Sequence, residues 1–154
     1  MKRTAALLLQ IVVCFFGLAV LVFLIWEPHV EGRNAHATVF EIYFKDPFLA
    51  YVYAGSVPFF MALYGLFRLF DKLRKHPAYS QETLDALLGI QKCAMVFLVF
   101  VLGGAVYIIL FGDKEDRPPG LFLSFLVICG SSAFLYGVKK FRKKVGDVEH
   151  GPIS

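Results

Sequence analysis

Two histidines, His29 and His36, stand among Glu27, Glu31 and Glu41 in the stretch WEPHVEGRNAHATVFEIYFKDP, residues 26–47. Imidazole nitrogens beside carboxylate oxygens make an acceptable zinc set, and His29, Glu31 and His36 are the residues that would form it. Such sets arise easily in any polar loop, so the structural reading is the stronger one. In that reading Pro28 ends a helix, Gly32 and Asn34 allow a turn, and Arg33 bridges nearby glutamates. Residues 37–44 then form a short amphipathic segment at a membrane interface. A second acidic group, Asp113, Glu115 and Asp116 in GDKEDRPPG, lacks the glycine and closing glutamate of a calcium loop and reads as a solvated turn. Cys14, Cys93 and Cys129 form no C-x-x-C pair and read as small apolar packing residues.

The elements that must carry these residues are set by where charge is missing. No Asp, Glu, Lys or Arg occurs in residues 4–26, 47–67, 93–112 or 118–138. About 20 residues of helix cross a hydrocarbon core roughly 30 Å thick, and a spanning segment must satisfy its backbone hydrogen bonds internally. With 58% hydrophobic residues, 18% charged and a mean hydropathy of +0.64, the chain is too apolar for an ordinary soluble domain. The expected fold is therefore all-α, a four-helix transmembrane bundle with spans near 4–26, 47–70, 90–111 and 120–138. These fill one membrane domain, residues 1–146, followed by a short, polar, disordered tail at 147–154. The first run is read as a retained helix: it is longer than a signal-peptide apolar region and ends in Trp26-Glu27-Pro28. Val13 before Cys14 argues against a lipoprotein acylation site.

Lysines and arginines give the orientation. Twelve of them (Lys2, Arg3, Arg68, Lys72, Arg74, Lys75, Lys92, Lys139, Lys140, Arg142, Lys143 and Lys144) fall on one side, and four (Arg33, Lys45, Lys114 and Arg117) on the other. The bias places both termini in the cytoplasm and the histidine loop outside, as a multi-pass protein of the bacterial inner membrane. The net charge of +4 is then a topology signal and gives no argument for direct nucleic-acid binding.

Local signals sharpen the helices. Gln10 reads as an amide that bonds a neighbouring helix. Pro47 suits a first helical position, and Pro58 predicts a kink in the second span. Ser80 reads as the N-cap of the third helix, with Tyr79 placed to staple onto Leu84. The second and third helices extend past their spans as a hairpin, on which Lys72, Arg74 and Lys75 are candidate interaction residues. Two small-residue pairs, Ala50 with Ala54 and Ala133 with Gly137, predict close-packing faces. The run KKFRKK adds Lys139, Lys140, Arg142, Lys143 and Lys144, whose charges suit anionic lipids or a cytoplasmic protein partner.

The stretch EGRNAHATVFEIYFKDPFLAYVYAGSVPFFMALYGLFRLF, then AYSQETLDALLGIQKCAMV, then DKEDRPPG resembles the bacterial four-helix membrane proteins of domain-of-unknown-function family 2975. The resemblance covers roughly residues 5–145, and Lys92-Cys93 and Pro119-Gly120 are its most specific pieces. It implies an integral membrane protein and transfers no catalytic residue; a small regulator encoded near some relatives would make a regulatory partner plausible.

Function classes narrow accordingly. All four histidines lie outside the spans, which disfavours a haem-b protein, and the absence of ionisable residues from the span interiors disfavours a coupled pump. No cofactor is expected. The leading expectation is a non-enzymatic regulatory or sensory protein that meets a cytoplasmic partner. The alternative is an oligomeric channel or small-molecule permease using Gln10, Ser56 or Ser124, which would make the protein a homo-oligomer. An outer-face metal-dependent enzyme comes third.

Overall fold

The computed structural model describes the backbone of residues 2–30, 36, 38–44, 46–75, 79–115, 117–149 and 151, and their side chains except at 27–30, 42–44 and 149. It is all-α. The helices are α1 (Arg3–Val30), α2 (Val39–Phe44), α3 (Pro47–Lys75), α4 (Gln81–Phe111) and α5 (Arg117–Glu149). All but α2 are long and apolar enough to cross a membrane. Neighbours follow chain order: α1 packs on α3, α3 on α4, and α4 on α5, while α2 lies against α3.

Helix ends follow from local chemistry. Asp46 opens α3, its carboxylate accepting from the Phe48 amide (2.9 Å). Ser80, with extended backbone (φ −138°, ψ 157°), caps α4: its hydroxyl accepts from the Thr83 amide (3.3 Å) and lies 3.1 Å from the Thr83 hydroxyl. Thr38 and Glu41 form a capping box on α2. The Glu41 carboxylate takes both the Thr38 amide and hydroxyl (3.0 and 3.1 Å), and the Glu41 amide donates back to the Thr38 hydroxyl (3.3 Å).

Prolines behave differently from the sequence expectation. The α1 backbone stays helical through Val30, two residues past Pro28. Proline has no N–H for the carbonyl four residues back, which is that of Leu24. The Tyr53 hydroxyl of α3 donates to that carbonyl at 2.6 Å, so a group that Pro28 would leave bare in an apolar setting is satisfied. At the start of α5, Pro118 and Pro119 lie inside the first turn and do not precede it. Amides there have no intrahelical acceptor, so their loss costs nothing. Arg117 ties the turn by donating from Nη2 to the Gly112 carbonyl (2.8 Å) and from its amide to that of Asp113 (3.0 Å). At the far end α5 continues to Glu149, so helix replaces the first residues of the expected disordered tail.

The α3–α4 pair is the spine. In its antiparallel register, Phe48 stacks on Tyr107 (5.2 Å between centroids), Tyr51 meets Phe100 (5.2 Å), and Phe59 meets Phe97 (5.2 Å). Glycines lie between and beyond these pairs. A Cβ on Gly55 would sit 3.1 Å from the Phe100 ring, one on Gly65 would sit 2.8 Å from Ile90 Cγ1, and one on Gly103 would strike the Tyr51 hydroxyl. That hydroxyl donates to the Phe100 carbonyl (2.8 Å). The expected small-residue pairs lie elsewhere: Ala50, Ala54, Ala133 and Gly137 are exposed, and a Cβ on Gly137 would meet nothing. Cys14 and Cys129 are likewise exposed and Cys93 half-buried, so two of the three cysteines face outward and do not pack.

Candidate interaction surface

Apolar side chains are buried together at one end of the bundle. Leu69 and Leu73 of α3, Leu87 and Ile90 of α4, and Val138 and Val145 of α5 form the core cluster, with Leu66, Leu84, Phe134 and Phe141 packed around it. Leu87, Ile90 and Val145 are 2%, 1% and 0% exposed. Between Leu73 and Lys75, from Gln81 to Ile90, and from Lys139 onward, these helices have left the charge-free runs and carry acids and bases. By contrast α1 shows Leu8, Ile11, Val12 and Phe15 to its surroundings over the same length in which it touches α3. Lipid can cover such a helix, whereas the cluster needs water around it to drive its burial.

The eight basic residues singled out from the sequence all lie at this end, in two distinct sets. On α3, Asp71 takes Arg74 (2.8 Å) and Lys75 (2.7 Å), and Lys72 reaches across to Glu82 of α4 (3.9 Å). Asp71 lies four residues beyond the end of the charge-free run 47–67. The hydrogen bond from Lys75 foremost holds its carboxyl below the ordinary carboxylate range; desolvation, next in size, opposes it, and the charges of Lys75 and Arg74 add to the lowering. The hairpin is thus close to charge-balanced along its surface. On α5, Val138, Phe141 and Val145 turn to the core while Lys139, Lys140, Lys143 and Lys144 are exposed; Arg142 is half-buried at the edge. Among the described residues no ion pair engages these five.

Gln10 performs the interhelical role read from the sequence: its Nε2 donates to the Phe67 carbonyl (3.2 Å) and ties α1 to α3. Ser56 and Ser124 donate to the carbonyls of Tyr53 (2.7 Å) and Gly120 (2.8 Å). Gln91, which the sequence places on the mostly apolar stripe of Leu84, Leu87 and Leu88, is 9% exposed beside Ile90, and its Oε1 has no hydrogen-bond partner among the described residues. Burying an unsatisfied polar atom costs about 1–3 kcal/mol. Gln91→Met, similar in shape and without the carbonyl, is expected to raise the thermal midpoint in detergent by several degrees; an unchanged or lower midpoint would show that the amide has an acceptor role in the folded protein.

Of the metal candidates, Glu31 and the His29 side chain lie outside the described residues, and His36 is exposed in a turn. Among the described residues no three His, Cys, Asp or Glu side chains gather into a metal set. Asp113, Lys114 and Glu115 of the second acidic loop are exposed.

A family model described as protein of unknown function, DUF2975, matches residues 33–138. The chain is similar to the uncharacterized membrane protein YoaS of Bacillus subtilis strain 168, at 26% identity over 153 residues, which cover 97% of this chain and 96% of that one. No solved structure matches. The matched region runs from residue 33 through α2, α3 and α4 to the core-facing Val138 of α5, so it includes the α3–α4 spine and most of the buried cluster. A chain with four helices long and apolar enough to cross a membrane, matched over that length, belongs to the DUF2975 family of membrane proteins.

Proposed function

We propose that the protein is a non-enzymatic regulatory or sensory component of the inner membrane, with both termini cytoplasmic, whose basic end forms a cytoplasmic head that docks a protein partner through the α3–α4 hairpin. The observation that carries this reading is the position of the core. Leu69, Leu73, Leu87, Ile90, Val138 and Val145 are buried where the helices become charged. Water makes such burial stabilising, so the sequence invests in a folded structure beyond what anchoring in lipid requires. The Lys and Arg bias, twelve against four, supports placing that end in the cytoplasm. Gln10, Ser56 and Ser124, the polar span residues a conducting path would use, each donate to a backbone carbonyl, which favours an interaction role over a channel.

The experiment is site-specific photo-crosslinking in native membranes from Gln81 and Asp85, both exposed on the first turns of α4. The reading expects a discrete adduct with a cytoplasmic protein, reduced when Leu87→Ala loosens the head. Adducts with lipid alone, or with a protein of the opposite compartment, would overturn it.

A further inference from the structure

We infer that the exposed lysine face of α5, formed by Lys139, Lys140, Lys143 and Lys144, binds anionic lipid headgroups, a role separate from the protein-docking role of the hairpin. Depth is the first reason. The charge-free run ends at Val138 and Lys139 follows directly. At 1.5 Å per residue, Lys144 lies about 9 Å further along the helix. That is about one Debye length at physiological salt, so all four ammonium groups feel the surface potential of an anionic leaflet.

Direction is the second. Val138, Phe141 and Val145 hold one side of α5 against the core, which fixes the four lysines on the other side. They cannot turn inward to find a partner. Charge is the third. At the same end of the bundle, Lys72, Arg74 and Lys75 already have carboxylates from Asp71 and Glu82, whereas among the described residues the α5 lysines have none. Two basic clusters that look alike in the sequence therefore differ in the structure: in the first, three cations share two carboxylates, whereas the second keeps all of its positive charge unpaired among the described residues.

The residue type decides between lipid and an acidic protein. A guanidinium fork suits fixed, bidentate recognition of a carboxylate, while an ammonium on a flexible stem acts as a point charge toward a mobile layer of phosphates. The exposed face is lysine throughout, and the one arginine of the run, Arg142, is half-buried away from it. A headgroup layer lies at that depth by construction, and its charge complements the stripe.

The test uses the full chain reconstituted in vesicles of equimolar phosphatidylglycerol and phosphatidylcholine, then released for native mass spectrometry to read the ratio of the two lipids retained. The wild-type chain is expected to retain phosphatidylglycerol in excess by about tenfold, the excess shrinking at high salt. K139Q/K140Q/K143Q/K144Q should bring the ratio close to parity, R74Q/K75Q should leave it, and the charge-keeping K139R/K140R/K143R/K144R should retain it. Should the fourfold glutamine variant fold poorly, K143Q/K144Q alone should give an intermediate ratio. No preference in the wild-type chain, a preference that survives the glutamine substitutions, or an equal loss in R74Q/K75Q would overturn the inference. So would an acidic protein that co-purifies through these lysines while the lipid ratio stays at parity.

Discussion

Leu87→Ala is expected to destabilise the basic end of the bundle by about 2–5 kcal/mol, the range for emptying a closely packed aliphatic site. Leu87 is 2% exposed and belongs to the one buried cluster that joins Leu73 of α3 with Val138 and Val145 of α5, so the substitution empties volume from a core shared by three helices. The comparison that gives the number meaning is Leu102→Ala on the same helix. Leu102 is exposed within the span, where lipid replaces the missing atoms, and the substitution should cost little. Thermal unfolding of both variants in the same nanodiscs measures the difference. Equal losses would mean that the cluster is no more a core than the lipid-facing surface is.

The second large effect is steric. Gly65→Leu should break the α3–α4 crossing, because the Cβ alone would stand 2.8 Å from Cγ1 of Ile90, a side chain that is 1% exposed and has no room to retreat. Overpacking of this kind costs about 1–3 kcal/mol, more than the roughly 1 kcal/mol that replacing a helical glycine returns. The sign reverses at Gly137, where an added Cβ meets nothing: Gly137→Ala should be neutral or slightly stabilising. Paired thermal midpoints for the two substitutions, lower for Gly65 and unchanged or higher for Gly137, check the register directly.

Much of the architecture is legible from the sequence because lipid imposes a simple rule. Charge-free runs of about 20 residues become helices, and the structure keeps that count in α1, α3, α4 and α5. Caps are legible too: Ser80 needs only its own side chain and the amides after it. The Thr38-x-x-Glu41 box was equally local and could have been found by its spacing. What failed were inferences about partners. Ala50, Ala54, Ala133 and Gly137 have the spacing of packing motifs but are exposed, while Gly55, Ala62 and Gly65 lie in the packed interface. Size and spacing show that a helix can be approached closely, and only the neighbour's position shows on which side.

Pro28 teaches the same lesson at one atom. Its effect on α1 depends on whether the Leu24 carbonyl finds another donor, and that donor, Tyr53, is 29 residues away in sequence. The candidate surface divides similarly. Eight basic residues are visible as two clusters, but whether a lysine is free depends on acids brought near by folding, as Glu82 is to Lys72. Sequence places the charges on one end of the bundle; packing decides which of them remain available.

A folded head at the charged ends of α3, α4 and α5 is measured most directly by amide hydrogen exchange on the full chain in nanodiscs. The prediction is that amides in 84–91 and 139–145 exchange only with opening of the whole cluster, and that Leu87→Ala accelerates both segments together. Exchange of these segments within seconds, as for an unstructured chain, while the spans remain protected, would contradict it.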